Sequence, residues 1–156
     1  MRFSFIKYRR LVDFIAAVLI FLFVYTATSK LFTFDQFKAV ISASPLLGEH
    51  AGLLSWLVPS AELVVSLLLF LSFSREYGFL FSSILMGVFS LYIAYMLLFS
   101  PDPLPCSCGG VLKQMSWSQH LIFNIIFFLL SVFGWRITRS LNKDFIAINR
   151  QSRIPV

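Results

Sequence analysis

Apolar residues in this chain gather into four long runs, at about residues 11–29, 53–73, 77–99 and 117–137. A helix rises about 1.5 Å per residue and the hydrocarbon core of a bilayer is about 30 Å thick, so about 20 residues make one crossing. The pattern therefore predicts an all-α fold, an integral membrane four-helix bundle. The third run holds no charged residue. Only Ser74-Arg75-Glu76 separates the second run from the third, which predicts a tight antiparallel hairpin. Between the first two runs, Phe34, Phe37, Val40 and Ile41 recur at helical spacing while Asp35, Gln36 and Lys38 fall elsewhere. That predicts a short amphipathic helix along the outer surface, closed by Ser44-Pro45, which caps the bundle or offers a docking surface to a soluble partner.

Hydrophobic residues make up 58% of the 156-residue chain, which excludes an ordinary soluble globule and fits one membrane domain over 1–156. A net charge of +6 raises the question of nucleic acid, and the placement of the charges answers it. Arg2, Lys7, Arg9, Arg10, Arg75, Arg136, Arg139, Lys143, Arg150 and Arg153 fall on one side of the predicted spans; only Lys30, Lys38 and Lys113 fall on the other. No basic stripe lies beside stacking aromatics, so no nucleic acid is expected. The positive-inside rule puts both termini, with the basic tail 138–156, in the cytoplasm and the link between the third and fourth runs outside. Met1 to Thr28 reads as a retained span and not a cleaved signal peptide, because Asp13 interrupts it and residues 26–30 make a poor small-residue cleavage site.

That outer link holds the chain's only two cysteines, in Cys106-Ser107-Cys108. A disulfide between residues two apart closes a very small ring, and strain makes such a bond easy to reduce. Pro101, Pro103 and Pro105 lead into the pair and Gly109-Gly110 follow it. Prolines restrict the approach and glycines permit a sharp turn, which together can present two thiols at a set distance. The reactive species is the thiolate, so Lys113, His120 and the free amides at the start of the fourth helix are candidates to stabilise it. The plainer alternative is two small cysteines filling space at the helix ends.

His120 and Asn124 stand four apart, on one face of the fourth helix. His120 is a candidate proton acceptor or metal ligand, or an interfacial residue touching water and headgroups. Asn124 is expected to hydrogen-bond between helices. Glu62 lies inside the second run, where a carboxylate must be paired, protonated or hydrated, and Lys30 at the outer end of the first helix is its natural partner. The pair either pins two helices together or handles protons. Tyr92 and Tyr95 can donate to the same cluster or join Trp56 and Trp117 in an interfacial belt. Asp13 lies near Arg9 and Arg10 and reads as a helix-end charge. No HExxH, P-loop, GxSxG, dinucleotide fingerprint or CxxC occurs.

Four helices, Ser29-Lys30 ending the first, Pro59-Ser60-Ala61-Glu62 in the second and the external CxC-Gly link together resemble the MauE branch of the MauE/DoxX membrane proteins. The resemblance spans roughly residues 11–135. It implies a bacterial inner-membrane protein and a redox-associated role for Cys106 and Cys108. MauE-type proteins are linked to methylamine utilisation, through maturation of a disulfide-rich periplasmic dehydrogenase subunit; DoxX-type relatives are linked to quinone-coupled thiosulfate oxidation.

The leading expectation is an inner-membrane thiol–disulfide redox protein whose Cys106 and Cys108 exchange disulfides with a periplasmic thiol or disulfide protein. One dithiol has no internal relay, so a membrane quinone or a second thiol protein must take part. A quinone is expected between the helices near the outer boundary, with Tyr95, Glu62 and His120 bonding its oxygens. The alternatives are a metal-handling protein binding Cu(I) or Zn(II) through Cys106, Cys108 and His120, with Met115 as a further ligand, and a non-catalytic membrane subunit of a redox complex.

Overall fold

The computed structural model describes residues 2–99 and 116–151. Helices account for nearly all of them: α1 (Arg2–Phe32), α2 (Phe34–Ser42), α3 (Ala51–Phe70), α4 (Arg75–Phe99) and α5 (Trp117–Gln151), with one 3-10 turn at Gly48–His50 before α3. Four of the helices are long and apolar enough to cross a membrane, over Tyr8–Phe32, Gly48–Phe70, Arg75–Phe99 and Ser118–Lys143. They pack in a ring, α1 on α3, α3 on α4, α4 on α5 and α5 back on α1. Val12, Leu19, Phe23, Leu69, Phe79 and Met86 fill its centre. Phe14, Phe21, Phe70, Leu91 and Leu98 stand exposed on the outside. A helix satisfies its own backbone polar groups, so such an apolar exterior suits hydrocarbon and not water.

The connection between the second and third spans lies earlier in the chain than the sequence suggests. Arg75 and Glu76 belong to the first turn of α4, leaving Leu71 to Ser74 as the connection. Ser74 Oγ donates to Leu68 O at 3.0 Å and Arg75 Nε to Leu69 O at 3.1 Å, so side chains satisfy carbonyls that the end of α3 leaves open. Gly78 permits this closeness: a Cβ there would stand 2.7 Å from the Leu69 backbone nitrogen.

Arg75 also corrects the reading of Asp13. The Asp13 carboxylate pairs with the Arg75 guanidinium and so joins α1 to the start of α4; it is more than a charge at a helix end. Arg139, assigned to a basic tail, lies within α5, which continues past the expected end of the fourth span to Gln151. Its guanidinium lies 5.1 Å from the centre of the Trp135 ring. Between α4 and α5, Ser82 and Ser131 share a buried hydroxyl hydrogen bond of 2.8 Å.

The predicted amphipathic helix is α2. It follows α1 with only Thr33 between them and buries Phe37 and Ile41 against Ala51, with Leu54 and Val58 alongside.

Candidate functional site

The helical repeat turns matched stripes of α1, α3 and α5 toward one another near the end of the bundle that carries α2. Leu22, Thr26 and Lys30 recur every four residues on α1, Leu54, Val58 and Glu62 do so on α3, and His120 and Asn124 do so on α5. Together with Val88, Phe89, Tyr92 and Ile93 of α4 they enclose a cavity of about 260 Å³. Its walls are mostly aliphatic and aromatic. Six side chains bring polar atoms to it: Thr26, Lys30, Glu62, Tyr92, His120 and Asn124.

Lys30 and Glu62 form the expected pair. Lys30 Nζ donates to Glu62 Oε1 at 2.7 Å, and the ammonium also lies 5.8 Å from the centre of the Phe37 ring. Both residues are buried. The second carboxylate oxygen, Glu62 Oε2, is fully buried and has no hydrogen-bond partner. The Thr26 hydroxyl, which also lines the cavity, donates to Phe23 O at 3.2 Å. A buried charged oxygen lacking one of its bonds costs free energy unless something else supplies a donor.

Other expectations divide. His120 and Asn124 do share a face and both reach the cavity; His120 is 4% exposed, so its side chain turns into the bundle and does not touch water or headgroups. Asn124 makes no hydrogen bond to another described residue; it lines the cavity where a bond between helices was expected. The two tyrosines part company. Tyr92 faces the cavity and donates to Ser44 Oγ at 3.0 Å, tying α4 to the segment after α2. Tyr95 packs on Phe99 with ring centres 5.0 Å apart and lies away from the cavity, so it cannot bond a molecule held there. Trp56 is exposed and packs on Phe34, as an interfacial aromatic would.

Sequence reasoning passed over Thr26 and Ser44. Thr26 was legible, four residues before Lys30 on the same face of α1; Ser44 was not, because only the fold brings it to Tyr92. A second missed signal is Ser116-Trp117-Ser118-Gln119. Ser116 N donates to Gln119 Oε1 at 3.0 Å and Gln119 N donates to Ser116 Oγ at 3.3 Å. This reciprocal capping box fixes the first turn of α5 and with it the position of His120.

Cys106, Cys108, Gly109, Gly110, Lys113 and Met115 lie outside the described residues. What the described helices establish is where their link is anchored: α4 ends, and α5 begins, at the bundle end that holds the cavity. Among the described residues no three His, Cys, Asp or Glu side chains converge as metal ligands.

No curated protein and no solved structure matches the chain. One family model does match, described as methylamine utilisation protein MauE, over residues 8–137. That match takes in all four candidate spans up to Ile137, the Lys30–Glu62 pair, the cavity and the cysteine link. The chain is therefore a multi-pass membrane protein belonging to the MauE family.

Proposed function

We propose that the protein is a thiol–disulfide exchange protein whose Cys106 and Cys108 trade disulfides with an exported partner during that partner's maturation. In each exchange a thiolate attacks one sulfur of a disulfide, a mixed disulfide forms as the first S–S bond breaks, and the second cysteine of the pair resolves it. The observation that supports this is that the sequence's only two cysteines, separated by Ser107 alone, fall between α4 and α5, whose facing ends flank the cavity holding the Lys30–Glu62 pair. A cysteine pair this close has no use as a staple between distant segments, whereas it suits a dithiol that opens and closes. The charge distribution supports an outward-facing link, where disulfides persist. Membership of a family described by methylamine utilisation supports a partner in that process.

Single Cys106→Ser and Cys108→Ser variants test this. One of the two is expected to accumulate a mixed disulfide with an exported protein, released by reductant and absent from the double variant. Full maturation of exported partners by the double Cys→Ser protein would instead leave only an anchoring or assembly role.

A further inference from the structure

We propose that the cavity beside Lys30 and Glu62 is a binding site for a lipid-soluble molecule with a hydroxyl-bearing ring head, of the hydroquinone class, and that Glu62 Oε2 accepts a hydrogen bond from that hydroxyl. The class is read from the walls. Phe37, Phe89 and Phe123 with Val58, Ile93 and Leu54 offer apolar contact on several sides, and about 260 Å³ accommodates one substituted ring. Val88 both lines the cavity and is 56% exposed, so the cavity lies one side chain from the surface of the bundle. On this proposal a molecule dissolved in the bilayer enters beside Val88.

The polar end is read from one atom. Glu62 Oε1 is already bonded to Lys30, while Oε2 is buried and unpartnered. A carboxylate oxygen in that state calls for a donor and repels an acceptor. A hydroquinone hydroxyl donates; a quinone carbonyl cannot. The site therefore holds the reduced form more tightly than the oxidised form, by about tenfold or more, the scale of one hydrogen bond to a charged group. Preferential binding of the reduced form raises the potential of the bound couple, by about 30 mV per tenfold for two electrons.

This inference rests on the exchange reading for its use. There the quinone is the oxidant of the dithiol: the two S–H bonds of Cys106 and Cys108 break, an S–S bond forms, and two electrons and two protons convert the two quinone carbonyls to hydroxyls. The binding itself does not depend on the cysteines, which makes the two claims separable.

The test uses the full-length Cys106→Ser/Cys108→Ser protein in lipid nanodiscs, titrated anaerobically with duroquinol and with duroquinone. The expected result is one saturable site, about tenfold or more tighter for duroquinol. Glu62→Gln, whose amide oxygen can keep the Lys30 bond while its NH2 donor takes the place of Oε2, is expected to remove the preference. Val58→Phe fills the cavity while leaving the Lys30 and Glu62 side chains in place and is expected to abolish binding of both; it carries the test if Glu62→Gln fails to fold. Absence of saturable duroquinol binding, as for a cavity that holds only water or acyl chains, overturns the proposal. So does equal affinity for the two forms, or unaltered binding by Val58→Phe. If binding fails while a mixed disulfide is still captured, the cavity assignment falls and the exchange reading stands.

Discussion

Lys30 Nζ stands 2.7 Å from Glu62 Oε1, with side chains only 5% and 2% exposed, so α1 and α3 are joined by an ion pair sealed inside the bundle. Removing one partner strands the other charge. Lys30→Met and Glu62→Leu are each expected to cost about 3–5 kcal/mol, while the double replacement is expected to fold near parental stability. Thermal unfolding of the four proteins in one detergent checks this. A double variant as unstable as the singles would show that the pair is more than self-compensating.

Glycine positions should split by sign. A Cβ on Gly134 would stand 2.5 Å from the buried ring of Phe79, and one on Gly78 would meet the α3 backbone, whereas Gly52 has nothing within 4 Å. Gly134→Ala and Gly78→Ala are expected to destabilise by about 1–3 kcal/mol through overpacking, despite alanine's better helix propensity. Gly52→Ala is expected to stabilise, by under about 1 kcal/mol. The same unfolding measurement ranks all three.

At the start of α5, Ser116→Ala removes the hydroxyl that accepts from Gln119 N. The expected cost is about 0.5–2 kcal/mol. It should be local, read as faster amide hydrogen exchange over residues 117–120 with little change in α3. Uniform acceleration across the bundle would contradict a capping role.

Asp13 and Arg75 offer a contrast with the buried pair. Asp13 is half exposed, so Asp13→Asn is expected to cost under about 1 kcal/mol. Arg75→Ala should cost more, because the same side chain also bonds the Leu69 carbonyl at 3.1 Å. Comparing the two unfolding midpoints separates the ion pair from the cap.

An impermeant thiol reagent applied to intact cells after mild reduction is expected to label Cys106 and Cys108. Labelling only after the membrane is opened would place the link on the other side and remove the setting in which disulfide exchange operates.

Much of the site was legible because its residues violate the membrane's rules. A glutamate within an apolar run has few tolerable partners, and Lys30, near the end of the neighbouring helix, was the available cation. The same logic found His120 and Asn124 as a pair on one face. It went astray where equal residue types compete. Tyr92 and Tyr95 are three apart on one helix, and choosing between them needs the rotation of α4, which neighbouring helices set by packing and not by hydropathy. The water or headgroup contact weighed for His120 failed for a related reason: proximity to the end of a span does not say whether a side chain turns outward or inward.

The amino-acid sequence by itself determined the four spans, the amphipathic α2 and the pairing of Lys30 with Glu62, because burial in hydrocarbon penalises each polar group wherever it falls along the chain. Only the tertiary structure decided that stripes on α1, α3, α4 and α5 face a common cavity and that one oxygen of Glu62 is left without a donor. Those facts depend on how the helices are rotated and how closely they approach, which contacts such as Gly78 against Leu69 and Gly134 against Phe79 set, and which no single stretch of sequence contains.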